Sequence, residues 1–105
     1  MHIQVVNFNL KDMSEQEYHQ LCDEVAPVFA SMPGLISKVW LADPAANTYG
    51  GVYTWRDRQG METYLNSDFF KAVAANPHLA NIGSKDFAVM EAPSRVTHGL
   101  VAVAV

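Results

Sequence analysis

The sequence lacks several features that mark common functional classes. Its 105 residues include 7 lysines and arginines against 11 aspartates and glutamates, and no cluster of basic residues occurs. Because phosphate backbones and anionic lipids are bound by such clusters, neither nucleic acid nor a membrane surface is expected as a partner. Residues 1–10 have no basic region, and no apolar run approaches the ~20 residues of a membrane span, so we expect a cytoplasmic protein.

Cysteine is nearly absent, and the common cofactor motifs are missing. Cys22 has no partner for an internal disulfide, and it lies one position from the apolar stripe of a predicted helix. A buried thiol is expected there rather than a nucleophile, because the spacing places no cation beside it. Glycine-rich nucleotide loops and the zinc-protease and serine hydrolase motifs do not occur, so a nucleotide or dinucleotide site, a zinc protease and a serine hydrolase are not expected. The four histidines lie far apart along the chain, at His2, His19, His78 and His98.

What the sequence does contain is the periodicity of a small α+β protein. A turn at residues 43–47 joins two predicted strands in a hairpin. Pro93 interrupts the last predicted strand. Alternating apolar residues predict four strands in all, at residues 2–9, 35–41, 50–56 and 85–91.

The helices are predicted from their capping residues. Ser14 and Glu17 form a capping box that starts the first helix. Pro27 within that helix predicts a kink or a break near residues 23–27. The apolar stripe of the helix comprises Tyr18, Leu21, Val25, Val28 and Met32.

A second helix is expected to be broken in two. Asp57 caps its start, and Ser67 with Asp68 caps a further short segment over residues 69–75. The resulting order is β-α-β-β-α-β. This is the order of the ferredoxin-like α+β fold, a four-stranded antiparallel sheet with two helices on one face.

Both faces of the predicted sheet are apolar. Helices cover only one of them, and a chain this short buries only about two-thirds of the surface that its unfolded form exposes. We therefore expect one domain, residues 1–105, that forms a homodimer by stacking its sheets into a barrel. The tail over residues 96–105 is expected to pair with the partner subunit, because a free uncharged edge of high β-propensity promotes aggregation.

An aromatic set follows from the register of the hairpin. If residues 44–47 form its loop, Trp40 opposes Gly51 and Lys38 opposes Tyr53. Gly51 is then expected to leave room beside the Trp40 indole. A register shifted by one residue would move Tyr53 to the opposite face. Strand parity places six residues on one side of the sheet: Ile36, Lys38, Trp40, Gly51, Tyr53 and Trp55.

Two interpretations of this set remain open. One is an aromatic core layer along which a lysine stem lies. The other is a mostly apolar pocket that orients a ring-shaped ligand through the Tyr53 hydroxyl, an indole N–H and the Lys38 ammonium. In the second interpretation Tyr64 and Phe69 complete the cavity from the second helix. An ammonium that faces this cavity would attract an anionic or phenolate ligand.

Several short motifs resemble the YdhR-type monooxygenase family. The resemblance covers roughly residues 33–94. The run Trp55-x-Asp57 before Tyr64 also resembles the wider antibiotic-biosynthesis monooxygenase superfamily, in which a histidine is common near the position of Tyr64. The resemblance implies a dimeric α+β barrel and an oxygenase activity that uses neither metal nor flavin. The motifs are Pro33-Gly34, Lys38-Val39-Trp40, Gly50-Gly51-Val52-Tyr53, Tyr64-Leu65 and the stretch from Lys85 to Ser94.

Oxygenation without a cofactor requires the substrate to supply the electrons. The implied substrate is an aromatic or polycyclic phenol or enol, whose anion reduces O₂ directly. Tyr53 is the expected catalytic residue, and Tyr53 or a histidine is the nominated base. A binding or stress-response protein without turnover, and a cofactor-free isomerase or cyclase, remain alternatives on the same fold. The expected substrate-binding residues are Lys38, Trp40, Trp55, Tyr64 and Phe69.

Overall fold

A computed structural model describes residues 1–100 of the chain and confirms the ferredoxin-like α+β fold. All neighbouring strands in the sheet are antiparallel, and their order is β2-β3-β1-β4. No helix among these residues is long and apolar enough to cross a membrane. The strands are β1 (His2–Leu10), β2 (Leu35–Asp43), β3 (Thr48–Trp55) and β4 (Leu79–Ala88).

The predicted helix caps are present. Both hydrogen bonds of the Ser14–Glu17 capping box form, which satisfies two backbone N–H groups at the helix start. Asp57 accepts from the backbone N–H of Gly60 at 2.8 Å, and Ser67 caps the next helix, so the predicted break is confirmed. The helices are α1 (Glu15–Ala30), α2 (Arg58–Leu65), α3 (Asp68–Ala75) and α4 (Glu91–Val96).

Helix α1 has no break at Pro27, and its buried stripe differs from the predicted one. It runs unbroken through Pro27, whose exposed position lets water reach the carbonyl that the proline leaves unpaired. Its buried stripe also includes Phe29, whereas Val28, placed in that stripe by the sequence, is 44% exposed. The true stripe therefore continues from Val25 by a four-residue step instead of three.

Strand β4 begins earlier and ends earlier than predicted. It pairs with β1 from Leu79 to Ala88, so the length of β1 sets its extent. The first half of β4 does not show the alternation of apolar and polar residues that predicts a strand. Asn81 has a positive φ of 56° there, at an irregularity in the β1–β4 ladder. Pro93 does not interrupt a strand: it lies in the first turn of α4, where a missing N–H costs little.

The two faces of the sheet have different environments. The helix-covered face carries the buried residues of β1 and β3, including Val6, Tyr53 and Trp55. The opposite surface is here called the open face, and the described residues leave Val39 and Phe87 on it 58% exposed. The part of the predicted intersubunit tail at residues 101–105 lies outside the described residues. The open face includes the polar residues Thr54 and Lys85, and its apolar residues include Ile3, Val5, Val39, Val52 and Phe87.

Candidate active site

The hairpin register that organises the site is as predicted. Lys38 pairs with Tyr53 and Trp40 pairs with Gly51, so all four residues share the helix-covered face. The turn over Pro44–Ala46 ends at Asn47, whose left-handed φ of 48° closes the loop. Ile36 lies at an irregularity of the β2–β3 ladder and has no regular partner there.

A cavity of about 220 Å³ lies between this face of the sheet and helices α1, α2 and α3. Five of the six predicted site residues line it: Lys38, Trp40, Tyr53, Tyr64 and Phe69. Side chains from α1 that the sequence analysis missed form another wall, namely Tyr18, Leu21, Cys22, Val25 and Phe29. Carbon atoms dominate the lining, so the site suits a ligand with a mainly apolar body.

Trp55, the sixth predicted site residue, does not line this cavity. Its side chain is fully buried, and its indole N–H donates to Gln4 Oε1 at 3.0 Å. Its ring stacks on Tyr53 at a centroid distance of 6.1 Å with an interplanar angle of 3°. Trp55 therefore belongs to the core beneath the site and supports the Tyr53 ring from behind.

Phe29 is the aromatic centre of the site. Its ring meets Trp40 edge-on at 5.6 Å and Phe69 at 5.3 Å, and it also approaches Tyr53 and Tyr64. Helix α1 brings it there because Tyr18, Cys22, Val25 and Phe29 follow one helical stripe. This spacing could have predicted from the sequence that Phe29 lies in the buried stripe. Val28, three residues after Val25, also fits the helical period and was predicted instead.

Lys38 extends into the cavity across the faces of three aromatic rings. Its Nζ lies 3.3 Å from the Trp40 ring centroid, 3.5 Å from that of Phe29 and 4.7 Å from that of Tyr53. Within residues 1–100 no carboxylate lies within ion-pair distance of this ammonium. Burial lowers the pKa of Lys38 from 10.5 to about 7, and a smaller effect of Cys22 opposes this shift.

Gly51 makes room for the lysine, not for the indole. A Cβ atom at Gly51 would lie 2.9 Å from Lys38 Cε and 3.5 Å from Tyr53 Cε1. No Trp40 atom is among its nearest neighbours. The absent side chain of Gly51 therefore lets the lysine stem cross the neighbouring strand and reach the aromatic rings.

The tyrosine hydroxyls at the cavity stay protonated. Burial raises the pKa of Tyr53, and the neighbouring Tyr64 hydroxyl raises it further. The pKa values of Tyr18 and Tyr64 are also raised, mainly by burial. A phenol that resists ionisation donates hydrogen bonds and is a poor base. Tyr53, nominated from sequence as a base, is thus better suited to binding an anion.

Cys22 lies closer to a cation than its sequence position indicated. It lines the cavity from α1, and the positive charge of Lys38 acts on it from β2. Burial nevertheless outweighs that charge and raises the pKa of the thiol. The sequence predicts a buried core thiol, whereas Cys22 is only half-buried at the cavity wall, where its thiol stays protonated.

The histidines lie away from the cavity. His2 pairs with Asp86 at 2.6 Å between β1 and β4, and the His78 ring contacts the carbonyl of Lys11 at 2.8 Å. Within residues 1–100, no histidine lines the cavity and no group of three His, Cys, Asp or Glu side chains could hold a metal. The ionisable groups around the cavity are thus a lysine, a thiol and phenols.

Comparison with known proteins places this chain in a family. A family model described as "Putative mono-oxygenase ydhR" matches residues 3–100. Curated proteins give no significant sequence match.

Solved structures share the fold at low sequence identity. SnoaB, a cofactor-independent oxygenase from Streptomyces nogalater, has a TM-score of 0.66 at 20% identity, covering 86% of this chain and 94% of that one. NE2512, a protein of unknown function from Nitrosomonas europaea, has a TM-score of 0.72 at 18% identity, covering 87% and 90%. The heme degrader MhuD from Mycobacterium tuberculosis, with two hemes bound, has a TM-score of 0.68 at 17% identity, covering 86% and 96%. These likenesses show the fold alone.

Proposed function

This chain belongs to the ydhR mono-oxygenase family, and from that premise we propose that it oxygenates a small phenol or enol without a metal or flavin. The observation that carries the proposal is the composition of the cavity. Its walls are aromatic, and they carry one lysine, Lys38, and several protonated phenols, including Tyr53 and Tyr64. Such a lining binds a flat ring and stabilises negative charge on its oxygen.

The proposed chemistry uses electrons from the substrate. Loss of the hydroxyl proton gives an anion, which transfers one electron to O₂ and forms a substrate radical and superoxide. Their recombination makes a carbon–oxygen bond and a hydroperoxide. Loss of water then leaves a new carbonyl, so one oxygen atom enters the product and the other leaves in water. The two hydrogens of that water are the original hydroxyl hydrogen and one ring hydrogen.

The protein's part in this reaction is to bind, orient and protect. The apolar walls exclude water from the radical pair, and the Phe29 and Trp40 rings hold the substrate plane. The Tyr53 and Tyr64 hydroxyls donate to the anionic oxygen in surroundings where such hydrogen bonds are strong. Lys38 supplies the positive charge.

The cavity also limits the substrate's size. An apolar cavity of ~150 Å³ accepts benzene. The 220 Å³ present here therefore suits one or two fused rings. A larger polycyclic phenol would have to extend past Trp40, which also borders shallow grooves outside the cavity.

We propose that the protein is a homodimer whose open faces pack together. Val39 and Phe87 are large apolar side chains left exposed there, beside the Val5–Val52 pair of the sheet centre. Covering these side chains removes apolar surface from water and protects both sheets from other contacts. A dimer of this kind leaves the cavity on the helix side of each sheet.

The proposed activity is tested by incubating the protein with naphthols and related phenols under labelled O₂. Uptake of O₂ with one labelled atom in the product supports the oxygenase. Quenching of tryptophan fluorescence without O₂ uptake identifies a binding protein instead, and a rearranged product without O₂ uptake identifies an isomerase or cyclase. Trp40→Phe is the matched control for the fluorescence, because Trp40 lines the cavity and Trp55 does not.

A further inference from the structure

We propose that Lys38 is the residue that accepts the substrate's proton, and that the site therefore selects acidic hydroxyl compounds, phenols or enols, over neutral aromatic ones. This inference rests on the proposed function and names the base that the function requires. It replaces Tyr53, which the sequence analysis had nominated together with the histidines.

The position of Lys38 suits it for this role. Gly51 opens a path for its stem across β3, and its Nζ lies against the Trp40 and Phe29 rings at the wall of the cavity. Within the described residues no aspartate or glutamate competes for the ammonium. A ligand hydroxyl in the cavity is therefore the acidic partner available to it.

The surroundings of Lys38 make both of its protonation states accessible. Burial disfavours the ammonium, whereas three ring faces attract it. The other titratable groups that line the same cavity are the Cys22 thiol and Tyr18 hydroxyl from α1, Tyr53 from β3 and Tyr64 from α2. All four have raised pKa values, so all are neutral near pH 7 and leave the lysine as the group that exchanges a proton.

The proposed step is a single proton transfer. The substrate O–H bond breaks, an N–H bond forms on the neutral Lys38 amine, and the electron pair of the O–H bond stays on the substrate oxygen. The products are an anion and an ammonium, and their attraction in the apolar cavity offsets the cost of moving a proton from a phenol to an amine whose ligand-free pKa is about 7. The Tyr53 and Tyr64 hydroxyls remain protonated and stay available as donors to the anion.

The first test measures the titration of Lys38 without any ligand. The ¹³Cε signal of Lys38 is followed by NMR against that of Lys71, an exposed lysine on α3. We expect Lys38 to titrate near pH 7, well below the ordinary lysine value of about 10.4. Titration of Lys38 at the ordinary lysine value overturns the inference.

The second test counts protons when 2-naphthol binds at about pH 8, where this probe is neutral in solution and its anion absorbs at longer wavelength. In the wild-type protein we expect the naphtholate spectrum with little net proton release, because Lys38 keeps the proton. Calorimetry in two buffers of different ionisation enthalpy measures that release. Binding of neutral naphthol, or release of a full proton, contradicts the inference.

Three variants separate charge, base and position. Lys38→Arg keeps a cation that cannot accept a proton, so bound naphtholate should now release about one proton to the buffer. Lys38→Met should lose the naphtholate spectrum and weaken binding about tenfold. Gly51→Ala keeps the lysine but crowds its Cε, so the Lys38 titration should move upward by about one pH unit. Wild-type proton release with Lys38→Arg would show that another group is the base.

The outcomes distinguish this inference from the proposed function. If bound naphthol is ionised and Lys38 is protonated, but no phenol causes O₂ uptake, the assignment of Lys38 as the base stands and the oxygenase proposal is rejected. If the protein takes up O₂ with a phenol but Lys38 titrates at the ordinary lysine value, the oxygenase proposal stands and the assignment of Lys38 as the base is rejected.

Discussion

The same strands form both faces of the sheet, but the two faces differ in how far their side chains are buried. On the helix-covered face, neighbouring residues such as Tyr53 and Trp55 are buried by helices of the same chain. On the open face, Val39 and Phe87 remain more than half exposed. Because successive residues of a strand alternate between faces, Lys38 lies in the cavity while its neighbour Val39 lies on the other surface. The chain thus covers one face with its own helices, whereas the described residues leave apolar side chains of the other face exposed.

The largest expected effect is on the completed face. Trp55→Ala removes a fully buried ring and leaves Gln4 Oε1 without its donor, so we expect the free energy of unfolding to fall by about 3–5 kcal/mol. Trp40→Ala is the matched control, because Trp40 is 36% exposed and should cost less than about 2 kcal/mol. Urea denaturation at one protein concentration measures both. Equal losses would mean that Trp55 is not the better packed residue.

The next effect tests the open face. Val39→Glu places a charge on both copies at the proposed interface, so we expect the dimer dissociation constant to rise about 100-fold while the monomer stays folded. Val28→Glu introduces the same charge at another exposed valine, on α1, and should leave association unchanged. Sedimentation velocity measures both proteins. A wild-type monomer at micromolar concentration, or equal dissociation of both variants, would remove the contrast between the faces.

A smaller effect is the dependence of stability on pH. The folded-state pKa of Lys38 is about 7 and its ordinary value is 10.5, so the folded state binds fewer protons than the unfolded state between these values. Stability should therefore rise with pH in this window. Relative to Lys38→Met, we expect the wild type to gain about 2 kcal/mol of unfolding free energy from about pH 7 to 9. Parallel pH profiles of the two proteins would contradict a lowered Lys38 pKa.

The smallest effect separates two tyrosines of β3. Tyr53→Phe removes a donor from the cavity, and we expect naphtholate binding to weaken about tenfold, the value of one hydrogen bond to a charged group. Tyr49→Phe changes another buried tyrosine on the same face, one that does not line the cavity, and binding should be unchanged. Titration with 2-naphthol compares them. Equal weakening would indicate a general loosening of the sheet.

The prediction of the hairpin succeeded for a local reason. Asp43 and Asn47 provide the turn chemistry that sets the loop length, and the loop length sets the register. Once the register is known, the alternation of side chains along each strand places Lys38, Trp40 and Tyr53 on one face of the sheet. Strand β4 was misplaced because its start depends on pairing with β1, which no neighbouring residue encodes.

By itself, the sequence determined the order of the four strands and the first three helices, the caps of those helices and the face on which each hairpin side chain lies, because these follow from spacing and local hydrogen bonds. Only the tertiary structure decided that Phe29 reaches the centre of the cavity and that Trp55 lies in the core beneath the cavity. It also decided that the Lys38 stem occupies the space beside Gly51. These placements depend on how α1 packs over the sheet. The lowered pKa of Lys38 depends on them in turn, since desolvation is a property of the assembled walls.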